Sequence, residues 1–520
     1  MKLINLKAAV VFFLIMLLTA CDITRAPFDG VPPEEALTGV EGVQNVTRGS
    51  YAHLKNLTGG TNNLVMMMFQ SGDYRSDDLM ISGTTSNRMM LTYNYLHNPD
   101  MPNTLNLWRQ GYQLIYNTNT VIDAVSPGES AQLDQLLGEN YFLRGMMHLY
   151  IAKGFARPYS QGTGNLGIPY MREPDVNARP ARESVGDTYN FIVQDLTQAY
   201  QLMNEPKSSS FGSAEAAMAL LSRVYLYMEN NQAALEYADR VINSGRYQLI
   251  GTDDYPSYFT MNNESRSESI FAIHHTAADD HGRGHGIGSM IYEKDGSGWG
   301  ENYASGALRE LLDQWPTDVR RQFIEPQYIL DDNGEVQFHP DGRPVLRERN
   351  GFPRYYVTKF VGPAGALTLS HPELLRYTEV YLNKAEALAK LGRDQEALDI
   401  INQLRTRANI PAEGLYSLSN LGDHNNVLDV VLEERRLELF FEGHRAHDLF
   451  RNNKTMFRNY RGTHLAPGNP GVEFRDDLPA LANDLPALGT QTIPADNPRI
   501  VWYIPESEID INPNLVQNPN

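Results

Sequence analysis

The sequence contains a single cysteine, Cys21, among 520 residues. Without a second cysteine the chain cannot form an internal disulfide or a thiolate cluster that binds metal. Basic side chains are also scarce, because 44 lysines and arginines stand against 63 aspartates and glutamates, for a formal net charge of −19. This balance argues against nucleic acid or an anionic lipid surface as a partner, since phosphate binding requires clustered basic residues. A neutral or cationic ligand suits the chain better.

Long apolar runs are absent except at residues 8–18, which follow Lys2 and Lys7. This run is too short to span a bilayer, and its basic start is typical of an export signal. The run ends in Leu-Thr-Ala-Cys, which resembles the cleavage box of bacterial lipoproteins. That resemblance implies a signal peptide over residues 1–20 and a lipid anchor on Cys21; an ordinary secretory signal with a chance cysteine is the alternative. Residues 21–40 are expected to form a flexible tether.

Several stretches show the three- and four-residue spacing of side chains that is typical of helices. Between them lie long segments rich in Gly, Pro and Asn, with few strand-like runs such as 269–274 and 355–360. We therefore predict a mainly α fold with large loop insertions. The predicted helical pairs lie near 105–154, 185–244 and 373–452, and the predicted loop-rich insertions lie at 58–104, 245–372 and 454–520.

Two of the predicted helical pairs resemble each other. One turns at Asn230 and the other at Gly392, and an alanine–leucine pair follows each turn at 234–235 and 397–398. A small and a large apolar residue at this place favour close antiparallel packing, as in tetratricopeptide repeats. Each pair would leave an apolar face uncovered, so the pairs are expected to pack on one another.

No motif in the sequence demands catalysis. A nucleophile elbow, a P-loop and a dinucleotide fingerprint are all absent. A histidine-rich stretch could suggest a metal, but it lacks helical ligand spacing and is interpreted as a polar loop; it contains His274, His275, Asp279, Asp280, His281 and His285. Residues 331–335 (DDNGE) carry oxygen ligands without the spacing of a calcium loop, and we predict a hairpin tip there.

Three segments resemble signatures of the SusD/RagB family. Residues 375–387 read LRYTEVYLNKAEA, residues 434–451 read ERRLELFFEGHRAHDLFR, and residues 504–518 read IPESEIDINPNLVQN. Together with the cleavage box at Cys21, they spread the resemblance over nearly the whole chain. It implies a SusD-like domain over residues 41–520, with tetratricopeptide-like helix pairs as its scaffold.

The resemblance also implies a function. The protein would be anchored in the outer membrane by its lipid and face the cell exterior. There it would bind oligo- or polysaccharide and deliver it to a SusC-like, TonB-dependent transporter, with no cofactor, no metal and no catalysis. Two alternatives are open: an oligopeptide-binding lipoprotein of the RagB type, and a surface glycoside hydrolase with two carboxylic acids facing each other across a cleft.

Charged residues follow one another at helical spacing in the second signature. Glu442, His444 and Asp448 could form an acid–base or metal cluster. The alternative, which we favour, is an ion-pair network in which arginine forks hold carboxylates and tie this helix to its neighbours.

A sugar-binding surface needs exposed aromatic rings flanked by planar polar groups, and loops can present them. The family places its glycan site in two loop regions that correspond to residues 73–95 and 292–303 here. The predicted ligand contacts are Tyr74, Arg75, Asp77, Tyr93 and Asn94 in the first loop and Tyr292, Trp299 and Asn302 in the second.

Several of these residues have a structural alternative. Trp299 lies between two glycines and is either a binding platform or a plug in the loop layer. Arg75 and Asp77 either clasp ligand hydroxyls or support the fold. The methionines at 66–68 and 89–90 are either core or a soft apolar surface suited to peptides.

Overall fold

The structure, a computed structural model, describes residues 33–55, 64–81, 89–280, 282, 286–349, 352–461, 472–473 and 487–519. Within these ranges it is mainly helical, as predicted. The α-helices are α1 (Pro33–Ala36), α2 (Gly39–Lys55), α3 (Leu64–Asp73), α4 (Met90–Tyr93), α5 (Pro102–Ala124), α6 (Ala131–Phe155), α7 (Val185–Leu202), α8 (Ala214–Tyr227), α9 (Asn231–Ile242), α10 (Ile287–Ile291), α11 (Gly306–Asp313), α12 (Tyr377–Lys390), α13 (Asp394–Arg407), α14 (Val427–Leu439), α15 (Arg445–Arg451) and α16 (Glu506–Ile511).

The strands are short, and every pairing among the described residues is antiparallel. The pairs are β1–β3, β2–β8, β4–β7 and β5–β6, and β9, β11 and β10 form one three-stranded sheet. The strand bounds are β1 (Leu79–Ile81), β2 (Ser269–Ala272), β3 (Asn302–Ala304), β4 (Ile324–Pro326), β5 (Glu348–Arg349), β6 (Phe352–Pro353), β7 (Tyr355–Val357), β8 (Glu373–Arg376), β9 (Met456–Arg461), β10 (Val472–Glu473) and β11 (Ala487–Ile493).

The helical pairs form the scaffold. Helix α6 packs against both α5 and α7. The pairs α8–α9 and α12–α13 contact each other through α9 and α12. The shared core between the last two pairs includes Leu235 and Leu398, which follow the two predicted turns. The prediction that these pairs pack on one another and cover their apolar faces is therefore confirmed.

Polar side chains fix where several of these helices begin. Ser130 Oγ accepts a hydrogen bond from the backbone N–H of Leu133 (3.2 Å), and Asn426 accepts one from Asp429 (2.9 Å). Ser184, Ser213 and Asn230 cap α7, α8 and α9 in the same way. Each cap satisfies a backbone donor that has no partner inside the helix, which contributes about 1 kcal/mol.

Two predicted boundaries are corrected. The tether expected over 21–40 is already helical from Pro33, because Leu37, Val40 and Val43 pack against a small cluster that includes Val121 and Leu137. The predicted signal peptide and Cys21 lie outside the described residues.

The insertion expected over 58–104 also contains a helix. The methionine run 66–68 lies in α3, where all ten residues are buried. A helix that is enclosed on every side has no polar face, so its sequence shows no helical periodicity. Met66, Met67, Met68 and Met89 are each at most 1% exposed, which confirms that these methionines belong to the core.

A buried ion-pair network centres on Glu438 of α14. Its carboxylate accepts hydrogen bonds from Arg376 (3.0 Å), Arg407 (2.7 Å) and Arg320 (3.2 Å). Burial alone would raise the pKa of Glu438, but the three guanidinium groups hold that pKa well below its usual range. The network joins helices of the scaffold to Arg320, which precedes β4 in the loop-rich region.

The same kind of contact accounts for the signature residues that suggested acid–base chemistry. Glu442 accepts hydrogen bonds from Lys359 (2.7 Å) and Arg376 (2.7 Å), and Asp448 accepts them from Arg451 (2.7 Å). Both carboxylates are buried and paired. The interpretation of this segment as an ion-pair network is therefore confirmed.

We expect Glu438→Gln to lower the free energy of unfolding by about 3 to 5 kcal/mol, because three arginines lose part of their neutralising charge in the protein interior. Urea denaturation of the purified protein measures this change. Glu236→Gln is the matched control, since Glu236 is 54% exposed and pairs with Arg240 on the same helix. It should cost at most about 0.5 kcal/mol. Equal losses in the two variants would contradict the role of Glu438.

Candidate functional site

The two loops predicted to bind ligand are brought together by a strand pair. β1 lies within the first loop and pairs with β3, which ends the second, so that Leu79 lies opposite Ala304 and Ile81 opposite Asn302. Ser305 strengthens the junction, because its backbone N–H donates to Asp78 O (2.8 Å) and its hydroxyl to Asp77 O (2.7 Å). The loops therefore form one continuous region, although they are more than 200 residues apart in sequence.

The expectation that the predicted ligand contacts of the first loop are exposed is wrong. Tyr74 and Arg75 are 1% exposed and Tyr93 is fully buried, because backbone carbonyls of this loop are bound by buried arginines. Arg458 donates to Ser76 O (2.8 Å) and Tyr74 O (2.6 Å). Arg75 donates to Ser71 O (2.6 Å) and lies over the ring of Trp502. Asn94, also buried, donates to the sulfur of Met90.

The aspartates of the first loop are paired inside the protein. Asp77 accepts two hydrogen bonds from Arg445 (2.8 and 3.0 Å), and Asp78 accepts one from Arg436 (2.6 Å). Burial opposes ionisation of Asp77, but the charges of Arg436 and Arg445 keep its pKa below its usual range. Burial instead raises the pKa of Asp78. The first loop thus forms the buried support of the region joined by β1 and β3. Its predicted side chains are not accessible to a ligand in solvent.

Tyr292 and Asn302 in the second loop are also largely buried. Tyr292 donates its hydroxyl to Glu325 (2.9 Å), and its ring lies 5.0 Å from that of Tyr356. Burial and the neighbouring carboxylate raise the pKa of Tyr292. Asn302 Nδ2 donates to the hydroxyl of Tyr74, which ties the second loop to the first. These contacts hold the floor of the loop in place.

Trp299 is the predicted contact whose side chain is partly exposed. Its flanking glycines are required by space: a Cβ at Gly298 would lie 2.2 Å from Tyr292 O, and Gly300 has a φ of +50°. The Trp299 backbone N–H donates to Ser289 O (2.5 Å), and Arg349 donates to the Trp299 carbonyl. The indole is therefore held on a fixed backbone at the surface, which suits a platform better than an interior plug.

Three residues that hold this surface are absent from the predicted set. Arg349 binds the carbonyls of Trp299 and Gly300, and Tyr356 and Glu325 contact Tyr292. The run 355–360 predicted a strand, and β7 confirms it. Its alternation could have placed Tyr356 on one face, but nothing in the sequence indicates which loop that face meets.

In the two stretches considered as metal sites, the described side chains contact other protein groups. The ring of His274 stacks on His371 with centroids 4.9 Å apart, and Asp279 pairs with Lys55 (3.0 Å). His281 and His285 lie outside the described residues. In the described part of the chain, no three His, Cys, Asp or Glu side chains are grouped so that they could hold a metal ion. Asp331 accepts from the backbone of Glu335 (2.9 Å) at a hairpin tip, as predicted.

The structure also bears on membrane contact. Within the ranges described, none of the helices has both the length and the apolar character needed to cross a bilayer.

Comparison with protein families gives two matches. Residues 347–520 match a family model described as the SusD family. Residues 49–226 match a second model, described as starch-binding and associating with the outer membrane. The two matches together cover more than half of the chain.

Individual proteins agree with the family models. A SusD-like protein of Formosa agariphila is 23% identical over 485 residues, which is 86% of each chain. The crystal structure of a SusD superfamily protein from Bacteroides thetaiotaomicron is 28% identical, with a TM-score of 0.76 over 92% of this chain and all of that one. A SusD-like protein described as laminarin-binding shares the fold at 21% identity, with a TM-score of 0.67 over 92% of this chain and 99% of that one.

We expect Arg349→Ala to loosen the loop around Trp299, because the two backbone carbonyls then lose their shared donor. Amide hydrogen exchange over residues 292–303 should become several-fold faster. Arg343→Ala is the control, since Arg343 is 47% exposed and pairs with Asp341 in the neighbouring hairpins. If exchange in the loop is the same in both variants, Arg349 does not hold it.

Proposed function

Because this chain belongs to the SusD family, we propose that it is a surface lipoprotein that binds oligo- or polysaccharide and passes it to a SusC-like, TonB-dependent transporter. The observation that carries this proposal is the match of residues 49–226 to the model described as starch-binding and associating with the outer membrane. In this role the chain captures its ligand and catalyses no reaction.

The surface around Trp299 is suited to bind the ligand. A partly exposed indole can stack on the apolar face of a pyranose ring, and its backbone is already fixed by Ser289 and Arg349. Little conformational entropy is then lost when the sugar binds. Glu301 contacts Arg349 (3.2 Å), and Arg349 binds the Trp299 carbonyl, so a carboxylate and a guanidinium lie beside the Trp299 backbone. Such groups hydrogen-bond to vicinal hydroxyls.

The alternatives have less support. Four of the five methionines that favoured an oligopeptide lie in the core and cannot offer a contact surface: Met66, Met67, Met68 and Met89. Met90 is partly exposed, which leaves a single methionine for such a surface. Glu442 and Asp448, the carboxylates that first suggested acid–base chemistry, are each neutralised by buried cations. Neither is available as a general acid or nucleophile of a glycoside hydrolase.

We expect Trp299→Ala to weaken glycan binding about 3- to 10-fold, because stacking by an aromatic ring contributes roughly 0.5 to 1.5 kcal/mol. Titration calorimetry of the purified protein with laminarin, amylopectin and a peptide library measures this. Trp315→Ala is the matched control: that indole is also partly exposed, but it packs against Gly414. Binding of peptides alone would support the oligopeptide alternative and overturn the saccharide proposal.

The anchor is tested separately by Cys21→Ser. Thiol lipidation needs the cysteine sulfur, so the variant should leave the membrane fraction and appear in the soluble fraction. Fractionation of the producing cells, followed by mass spectrometry of the N-terminal peptide, measures both changes. A variant that stays with the membrane would show that a partner, not a lipid on Cys21, holds the protein there.

A further inference from the structure

A cleft of about 450 Å³ lies between helix α5, the segment 169–180 and the C-terminal helix α16. It shares no residue with the two loops that form the candidate site. Its volume falls within the range of about 300 to 1,000 Å³ that is typical of small-molecule sites.

Aromatic rings form one wall of this cleft. Trp108, Tyr112 and Tyr116 recur every four residues on α5, so their side chains lie along one face of the helix. The rings of Trp108 and Tyr112 have centroids 4.9 Å apart, and the hydroxyl of Tyr112 donates to Pro169 O (2.8 Å). Trp108 is buried, whereas Tyr112 and Tyr116 are partly exposed. The rings of Trp108 and Tyr112 are therefore held in place, and the two rings of the wall that solvent reaches are those of Tyr112 and Tyr116.

The rim combines one ion pair with a second guanidinium that donates to a backbone carbonyl. Arg109 donates to Glu508 (2.8 Å), and their side chains are 50% and 22% exposed. Arg179 donates to the carbonyl of Ile511 (3.2 Å) at the other side of the opening. A paired guanidinium and carboxylate present donors and acceptors side by side with little net charge. This combination matches the vicinal hydroxyls of a sugar.

Outside the Arg109–Glu508 pair, two acidic side chains and the one guanidinium of Arg179 line the cleft, so acidic charge is in excess. Glu173 and Asp175 also line the cleft, and both are exposed. They disfavour an anionic ligand, such as a uronate-rich or sulfated glycan, because like charges repel at short range. Val176 is 71% exposed at the same edge and adds an apolar contact.

We propose that this cleft is a second saccharide-binding site, specific for neutral glycans, which stack on Tyr112 and Tyr116 and hydrogen-bond to the Arg109–Glu508 pair. This inference rests on the proposed function, since it assigns a further site to the same class of ligand. It differs in location from the surface around Trp299, so the two sites can be removed one at a time.

The test uses the full chain with laminarin and amylopectin as neutral probes and alginate as an acidic one. Hydrogen exchange is followed over residues 105–116 and 169–180 for the cleft and over 286–303 for the loop. Tyr116→Ala removes one of the two partly exposed rings of the aromatic wall. Tyr237→Ala is its control, because Tyr237 is a partly exposed tyrosine on another helix.

We expect a neutral probe to protect both regions in the wild-type protein and alginate to protect the cleft much less. Tyr116→Ala should abolish protection of the cleft and weaken overall binding about 3- to 10-fold. Protection of the cleft should persist in Trp299→Ala and in Tyr237→Ala.

Two results would overturn the inference in distinguishable ways. Protection of residues 286–303 alone, with unchanged affinity in Tyr116→Ala, would refute the second site and leave the proposed function intact. Failure of both neutral probes to bind the wild-type protein would refute the saccharide function and, with it, the cleft assignment.

Discussion

The arrangement of the helical scaffold and the loop-rich region depends on the ion pairs made by the carboxylate of Glu438. It accepts hydrogen bonds from Arg320 in the loop-rich region, Arg376 at the end of β8 and Arg407 at the end of α13. All four side chains are buried, so the cost of removing their charges from water is offset only if the geometry is kept. A shift of the scaffold or of the loop-rich region would leave at least one charge unpaired. The network therefore fixes the relative position of scaffold and loops more strictly than apolar packing alone.

The same principle extends from the scaffold to the candidate site. Arg436 and Arg445 lie on and beside the helix of Glu438, and they bind the two aspartates that precede β1. β1 in turn pairs with β3, which follows Trp299 in the chain. A continuous series of ion pairs and backbone hydrogen bonds thus runs from the buried network to the surface indole. The first-loop residues predicted to bind ligand belong to this series of contacts. They hold the surface around Trp299 in position but are not part of that surface.

The sequence predicts the scaffold well and the candidate site only in part. Helix pairs such as α8–α9 and α12–α13 depend on local spacing of apolar side chains, which is visible in any window of the chain. The partners of Glu438 are 31, 62 and 118 residues away, and no local pattern pairs a carboxylate with a particular arginine at such separations. For the same reason Asp77 was predicted to be exposed, since an unpaired aspartate in a polar loop normally is. For Trp299 the glycines on both sides indicate little apolar sequence to pack against, but they leave open whether the indole is a binding platform or a plug.

The rigidity of the surface has a consequence for how an oligosaccharide would be held. A single stacking ring supplies roughly 1 kcal/mol, which is far too little for firm capture of a polymer. The backbone around Trp299 is fixed before the ligand arrives, so the loop cannot gain much by closing around one sugar unit. Affinity for a long chain must then come from several contacts made at once, in which each contact raises the local concentration of ligand at the next. The aromatic wall on α5, with an ion pair on its rim, would supply a second contact of this kind in addition to Trp299. Many weak contacts also release a polymer stepwise, which suits the proposed transfer of the ligand to a transporter.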